Sequence, residues 1–192
     1  DVSALKEINE ETVGWIYIPT LDNVSYPVVQ TSDNIYYTEH TFENKVNPSG
    51  AIFMDSQNYP DFSEYNTFVY GHNMNNKTMF GQLKRFLKEE GIFEHDPYVF
   101  YYTEDHAYKF RIFAYYVTTN GSKVYWVPVN EKQYDDYISY VSGLNQYEKG
   151  KEIDLSSRPI ILTLSTCAGA RTNRRTIIQS YLIDEYDIAD AK

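Results

Sequence analysis

The only cysteine of the chain, Cys167, closes the run Thr-Leu-Ser-Thr-Cys at residues 163–167. The apolar residues 159–162 precede this run, so Cys167 stands at the end of a predicted strand. If the next strand begins at Arg175 in an antiparallel hairpin centred near Arg171, residues 167 and 175 lie opposite each other, with Cβ atoms about 5 Å apart. The pattern predicts a thiol and a guanidinium at one edge of a sheet.

These two groups together are suited to nucleophilic chemistry on a carbonyl. A thiolate attacks the carbonyl carbon, and a permanently charged group with several N–H donors stabilises the oxyanion and orients the substrate backbone. A free cysteine is also often a small buried hydrophobic residue. By itself, Cys167 is therefore compatible with a catalytic nucleophile and with a residue of the core.

A nucleophilic cysteine needs a side chain that exchanges its proton, and this partner has only to be close in space. Among the four histidines, His72 stands at the end of the strand-like run 67–71. Strand ends at the rim of a barrel bring distant segments together, although a surface or capping role for His72 is the alternative. The other three, His40, His95 and His106, have polar or charged neighbours and are assigned to solvent.

The elements that would position these residues are mostly strands. Short segments rich in β-branched and aromatic residues, most of them bounded by Gly, Pro, Asn or Asp, recur along the chain. They cover residues 15–18, 26–30, 51–54, 67–70, 98–102, 108–118, 159–166 and 175–183. About eight strands suffice for a closed barrel whose interior is filled by side chains. The sequence therefore predicts a mainly β barrel.

Helical periodicity adds peripheral elements to this barrel. Apolar residues three and four apart predict helices near residues 78–90 and 131–144, and a leading helix within residues 1–12, which Gly14 ends. No repeat, low-complexity tract or linker divides the sequence. Residues 1–192 are therefore expected to form one domain, with residues 13–192 building the barrel and its helices.

Composition excludes several classes of partner. The chain has 27 acidic and 17 basic residues and a formal charge of −10, so its surface repels DNA and RNA, and no nucleic acid is expected to bind. One cysteine excludes an internal disulfide, and the histidines show no zinc-ligand spacing. Asp135 and Asp136 fit a solvated helix face better than a metal site. We expect no metal and no other cofactor.

The sequence contains neither a run of about 18 apolar residues nor a signal-peptide pattern. The chain is therefore expected to be soluble. Because it begins at Asp1 rather than at a Met, the sequence leaves open whether a membrane anchor precedes it.

Three motifs together resemble the signature of sortases: the Thr-Leu-Ser-Thr-Cys run, Arg175-Thr176-Ile177-Ile178 and the upstream Tyr70-Gly71-His72-Asn73. Residues 14–19, 26–30 and 50–55 are similar to the opening strands of class B sortases, so the resemblance extends along most of the chain. A helical insertion before the cysteine-bearing strand is usual in that class. The resemblance implies a single closed eight-stranded sortase-type β-barrel with an N-terminal helix and peripheral helices.

The resemblance also implies an activity and a location. Class B sortases are membrane-anchored cysteine transpeptidases on the outer face of Gram-positive bacteria. The chain is expected to cleave a C-terminal pentapeptide sorting motif of surface proteins after its Thr, through a thioacyl-enzyme. The acyl group would pass to an amine of a peptidoglycan precursor or a pilin. The native protein is expected to be anchored through a segment absent from this chain.

Matching the motifs by position gives the expected site. Cys167 is the nucleophile, His72 the general acid and base, and Arg175 the group that holds the oxyanion and the substrate. Residues of the same motifs are expected to contact the substrate: Tyr70, Ser165, Thr166 and, through its backbone N–H, Ala168. Related enzymes often have an acidic residue at the position of Ala168, so the loop after the nucleophile departs from the family pattern.

Two alternatives accompany the transpeptidase interpretation. A cysteine peptidase would use the same nucleophile and release the product to water, so only the acceptor distinguishes the two enzymes. A non-catalytic surface domain would bind a partner through an aromatic face, since the chain has 20 Tyr and 10 Phe, and aromatic residues are enriched at interfaces. Cys167 would then lie in the core.

Overall fold

Eight strands form the protein's main sheet in the computed structural model, which describes residues 1–92, 96–167 and 173–188, with Cys167 described by its backbone. The strands are β1 (Thr12–Tyr17), β2 (Ser25–Val29), β3 (Ile52–Met54), β4 (Asn66–His72), β5 (Tyr98–Tyr102), β6 (His106–Thr119), β7 (Ile161–Cys167) and β8 (Arg174–Asp187). They close into a barrel in the order β1-β2-β3-β4-β7-β8-β6-β5. Each predicted strand segment overlaps one of them, and the predicted mainly β barrel is confirmed.

The position of β7 decides which strand ends meet. It pairs with β4 in parallel and with β8 in antiparallel orientation. The C-terminal ends of β4 and β7 and the N-terminal end of β8 therefore lie at the same rim. This rim carries the residues that the sequence motifs single out.

Helices cover parts of the barrel. The described ranges contain α1 (Val2–Ile8), α2 (Glu131–Leu144) and α3 (Glu148–Lys151), together with three short 3-10 helices, Tyr36–Thr38, Leu83–Leu87 and Lys123–Tyr125. The predicted helix at residues 131–144 is confirmed as α2. Its first turn is capped by Asn130, whose side chain accepts a hydrogen bond from the N–H of Gln133 (3.0 Å).

The core has two main layers because side chains alternate across each strand. Leu162 and Leu164 of β7 point into the barrel, where they pack with Val69 and Ile178. Ile161 points outward and belongs to a second apolar cluster that α2 covers with its buried aromatic side chains. One face of β7 is thus held by the barrel interior and the other by α2.

The leading helix ends earlier than predicted, at Ile8 rather than near residue 12. Asn9 is extended, and its buried side-chain amide donates a hydrogen bond to the hydroxyl of Tyr37 (2.8 Å). This bond fixes the direction in which the chain leaves the helix. As a result β1 begins at Thr12, and Gly14 lies inside the strand instead of ending the helix.

The α-helix predicted near residues 78–90 is wrong. This segment consists of turns and the single 3-10 helix Leu83–Leu87. Met79 has a φ of 53° and forms an isolated β-bridge, which a helical backbone does not allow. The apolar spacing does indicate burial correctly, since Phe80 is 0% and Phe86 is 1% exposed. Among the described residues, no helix combines the length and apolar character needed to cross a bilayer.

Candidate active site

The outer face of β4 leads towards His72. Val69 faces the barrel core. Because successive side chains of a strand point to opposite faces, Phe68 and Tyr70 face outward, on the same side as His72. The rings of Phe68 and Tyr70 contact Tyr125, with ring centroids 5.8 and 6.4 Å away. An aromatic surface thus runs along β4 up to the histidine.

His72 and Cys167 are neighbours across the parallel ladder of β4 and β7. The register pairs Asn66 with Ile161 at one end and the Cα atom of His72 with that of Cys167 at the other. Paired strands lie about 4.8 Å apart. The two residues are therefore brought together by backbone pairing, although they are far apart in sequence.

Arg175 approaches the same place from β8. The β7–β8 register pairs Ser165 with Ile177, and continuing this register by two residues sets Cys167 opposite Arg175. Arg175 is half-buried, and its Nη1 donates to the backbone carbonyl of Arg174 (3.1 Å). The backbone of Cys167 thus lies between those of His72 and Arg175.

The imidazole of His72 is half-buried and contacts a segment that is not part of the barrel strands. Its Nε2 lies 2.6 Å from the carbonyl oxygen of Thr38, at the end of the 3-10 helix Tyr36–Thr38. The backbone carbonyl of His72 accepts a hydrogen bond from the N–H of Phe80 (3.0 Å). Both the backbone and the ring of His72 therefore have defined partners.

A cleft of about 250 Å³ opens beside these residues. Its walls come from distant parts of the chain: Asn34, Phe53, Tyr70, Asn120, Tyr125 and Arg175. The Tyr70 hydroxyl donates to Asp55 Oδ2 (2.7 Å), which fixes the ring in the wall. Aromatic surfaces with a few amide groups and one cation are suited to an extended peptide, whose backbone offers carbonyl acceptors and N–H donors. The sequence motifs pointed to Tyr70 and Arg175 but missed the other four residues.

Ser165 and Thr166 are both buried on β7. Ser165 is 1% exposed, and its Oγ lies 2.8 Å from the hydroxyl of Tyr125. Thr166 is 3% exposed, and its Oγ1 accepts a hydrogen bond from the N–H of Thr176 (3.1 Å). Both hydroxyls are thus engaged within the protein, and their contact with substrate stays a prediction. Ala168 and the oxyanion donor assigned to it lie outside the described residues.

A buried hydrogen-bond network fixes the segment that carries Tyr125. The hydroxyl of Tyr137 on α2 accepts from the side-chain amides of Asn66 (2.9 Å) and Gln179 (2.6 Å) and donates to the carbonyl of Val124 (2.9 Å). Burial raises the pKa of Tyr137, so the hydroxyl keeps its proton and remains a donor. The 3-10 helix Lys123–Tyr125 is thereby attached to the barrel, and Tyr125 is held against β7.

Other polar residues of the chain take up structural contacts. Asp135 accepts a bidentate pair of hydrogen bonds from Arg158 (3.0 and 2.9 Å), and Asp136 forms an ion pair with Lys132. Both carboxylates therefore have cationic partners on an exposed helix face. Within the described ranges, His, Cys, Asp and Glu side chains form no group of three that would hold a metal.

The sequence assigns the remaining histidines to solvent, and the two that the structure describes are partly exposed but also make contacts within the protein. His40 is half-buried, and its ring stacks on Tyr36 with centroids 4.0 Å apart. His106 is also half-buried, with Nε2 lying 3.8 Å from Glu185 Oε1. Polar neighbours in sequence do not reveal such contacts. His95 lies outside the described residues.

Residues 16–183 match the sortase domain family. The chain belongs to the sortase family. Sortase B of Listeria monocytogenes is 31% identical over 182 residues, which cover 93% of this chain and 72% of that protein. The X-ray structure of Clostridium perfringens sortase B has a TM-score of 0.86 at 34% identity, covering 96% of this chain and all 100% of that one. A Staphylococcus aureus sortase B–substrate complex has a TM-score of 0.87 at 27% identity, covering 95% and 84%.

These relatives place the sortase in class B, and the enzyme is a cysteine transpeptidase that acts at the cell surface, as the sequence motifs predicted. The alternative of a non-catalytic, tyrosine-rich binding domain is thereby set aside. Part of the aromatic content of the enzyme fills the protein interior, since six of its 20 tyrosines are buried: Tyr37, Tyr101, Tyr108, Tyr116, Tyr134 and Tyr137.

Proposed function

We propose that this sortase binds the sorting-signal peptide of a surface protein in the cleft beside Tyr125 and cleaves it with Cys167. His72 acts as general acid and base, and Arg175 stabilises the oxyanion and orients the peptide. The observation that supports these roles is the strand register, because β4, β7 and β8 bring the three backbones to one rim. The aromatic wall of the cleft supports the peptide-binding role.

The reaction divides into acylation and transfer. The thiol of Cys167 gives its proton to His72, and the sulfur attacks the carbonyl carbon of the motif's Thr. The negative charge on the resulting oxyanion is stabilised by the guanidinium of Arg175. The peptide C–N bond then breaks, the leaving amine takes the proton from the imidazolium, and a thioester on Cys167 remains.

An incoming amine completes the cycle. It attacks the thioester carbon and passes its surplus proton to His72, and the tetrahedral intermediate collapses to a new amide as the C–S bond breaks. The sulfur regains the proton from His72. We propose that the amine belongs to a peptidoglycan precursor or a pilin, and that the native protein is membrane-anchored, since both properties are usual for enzymes of this class.

A product assay tests this proposal. The enzyme is incubated with a small library of sorting-motif peptides, alone, with triglycine, and with a peptide that carries a free lysine amine, and products are identified by mass spectrometry. We expect one motif to give a ligated product whose mass includes the acceptor. A hydrolysed product that is unchanged by added amine would instead indicate a cysteine peptidase.

Variants of the same enzyme test the roles of the side chains. Cys167→Ala is expected to abolish turnover, and His72→Ala is expected to lower kcat by about 10²–10⁴-fold because proton transfer is lost. His106→Ala is the matched control, because His106 is also a half-buried histidine at a strand position but lies on β6. Full activity of the Cys167→Ala variant, with circular dichroism unchanged, would overturn the assignment.

A further inference from the structure

The hydrogen bond between His72 and Thr38 determines where the proton of the neutral imidazole resides. Nε2 lies 2.6 Å from the carbonyl oxygen of Thr38. A carbonyl oxygen has no proton to donate, so Nε2 must carry the hydrogen. In a neutral imidazole one nitrogen is a donor and the other an acceptor. The lone pair that takes up a proton is therefore on Nδ1.

The carbonyl of Thr38 is itself held in place. The 3-10 helix Tyr36–Thr38 is closed by the hydrogen bond from the N–H of Thr38 to the carbonyl of Ile35 (2.9 Å). The carbonyl of Tyr37 accepts from the N–H of Ala51 (2.9 Å). The buried hydroxyl of Tyr37 adds a hydrogen bond to Glu11 Oε2 (2.6 Å). The acceptor for His72 thus belongs to a turn that is hydrogen-bonded to other segments of the protein.

Gly50 makes the space that this arrangement needs. Its φ is +58°, in the left-handed region that favours glycine. A Cβ atom at this position would lie 2.4 Å from the carbonyl oxygen of Tyr37, 3.0 Å from that of Thr38 and 3.1 Å from Cδ2 of His72. Any side chain at residue 50 would therefore displace the turn, the imidazole, or both.

We propose that the Thr38 carbonyl, given room by Gly50, fixes His72 in the Nε2–H tautomer, so that Nδ1 is the nitrogen that exchanges protons during catalysis. Thr38 and Gly50 are positioning residues, and the proposal rests on the proposed role of His72. Nδ1 accepts the proton of the Cys167 thiol and later returns it to the leaving amine. Nε2–H stays on the Thr38 carbonyl throughout, and this hydrogen bond strengthens while the ring is charged.

The tautomer is measured directly by NMR on the wild-type enzyme with ¹⁵N-labelled histidine, at a pH where the rings are neutral. His72→Gln identifies the signals of His72 by their disappearance. We expect a protonated, pyrrole-type Nε2 and an unprotonated, pyridine-type Nδ1. A protonated Nδ1, or an even mixture of the two tautomers, overturns the proposal.

Two substitutions test the role of Gly50. Gly50→Ala is expected to give a mixture of tautomers and to lower kcat by about 10²-fold with little change in KM, because a small misplacement of a catalytic group is costly. Gly50→Asn relieves the backbone strain, since Asn tolerates positive φ, but it keeps the Cβ contacts and is expected to behave like Gly50→Ala. Gly121→Ala is the matched control, because a Cβ atom there meets nothing within 4 Å.

The outcomes separate the two proposals. Peptide cleavage by a wild type that has the opposite tautomer rejects only the positioning role, whereas a single Nε2–H tautomer in an enzyme without turnover rejects only the proposed function. Unchanged kcat in a folded Gly50→Ala variant, or lost kcat with the tautomer unchanged, also overturns the role of Gly50. If neither variant folds, the wild-type tautomer decides.

Discussion

The Cα atom of His72 pairs with that of Cys167 at the last step of the parallel ladder between β4 and β7. A parallel pair needs a long connection between its strands, and here that connection includes β5, β6 and α2. The same connection supplies Tyr125, which forms one wall of the cleft. The topology that joins the two proposed catalytic residues therefore also builds part of the proposed peptide-binding surface.

Arg175 is expected to require its guanidinium and not only its charge. Arg175→Ala should lower kcat by about 10²–10³-fold, the usual effect of losing an oxyanion donor. Arg175→Lys should remain far below wild type, because an ammonium lacks the planar fork that binds two acceptors at once. Both effects are measured by steady-state kinetics with the sorting-motif peptide that the wild-type enzyme cleaves.

The neighbouring Arg174 provides the control for this prediction. It is exposed at the start of β8, one residue from Arg175. Arg174→Ala should retain wild-type kcat. An Arg174→Ala variant as inactive as Arg175→Ala would show that the two residues share the role.

Tyr137 is expected to support both stability and substrate binding. Tyr137→Phe removes the hydroxyl that bonds Asn66, Gln179 and the Val124 carbonyl, and leaves buried polar groups without this partner. We expect this loss to lower the free energy of unfolding by about 1–3 kcal/mol. Urea denaturation of the variant and the wild type measures the difference. Because Tyr125 follows Val124 directly, KM for the peptide should also rise.

Tyr140→Phe is the matched control on the same helix. The hydroxyl of Tyr140 lies 3.2 Å from Ser122 Oγ at the surface, where water can replace the lost contact. Its unfolding free energy should stay close to that of the wild type. Equal destabilisation by both substitutions would contradict the importance of the buried network.

The sequence predicts the barrel well because strand signals are local. A short segment rich in aromatic residues marks β5 at residues 98–102, where the structure has it. The α-helix expected near residues 78–90 does not form, since Met79 has a φ of 53° and its N–H donates to the hydroxyl of the distant Tyr26 (2.9 Å). The periodicity indicates only that apolar residues of the segment are buried.

The site is predictable only where side-chain type marks it. Cys167, His72 and Arg175 stand out because their functional groups are rare and reactive. Tyr125 does not stand out in the sequence, since its position depends on the hydrogen bond from Tyr137 to the carbonyl of the preceding residue, Val124. The role of the Thr38 carbonyl is still harder to predict from the sequence, because every residue has a carbonyl and only the fold shows which one contacts the imidazole.

Gly143 is a position where a substitution should increase stability. It lies within α2, is exposed, and an added Cβ would meet nothing within 4 Å. Gly143→Ala should raise the unfolding free energy by about 0.5–1 kcal/mol, because alanine loses less backbone entropy in a helix. Activity should not change. A lower Tm for this variant would contradict the open surroundings of Gly143.

Alkaline pH is expected to unfold the enzyme through its buried tyrosines. Burial raises the pKa of six of them above the ordinary value of 10.0: Tyr37, Tyr101, Tyr108, Tyr116, Tyr134 and Tyr137. Above about pH 10 the unfolded chain loses these protons while the folded protein keeps them, so unfolding releases protons and stability falls as pH rises. Each such tyrosine contributes up to about 1.4 kcal/mol per pH unit in that range.

Urea denaturation at about pH 9 and about pH 11 measures this effect, because the midpoint should be constant up to about pH 10 and fall steeply beyond it. A step in tyrosinate absorbance from the buried phenols should accompany unfolding, since the folded state holds these phenols neutral. Tyr137→Phe is less stable at neutral pH but should show a shallower decline, because one of the linked protons is gone. A midpoint that does not change between the two pH values would mean that these hydroxyls are accessible to solvent in the folded enzyme.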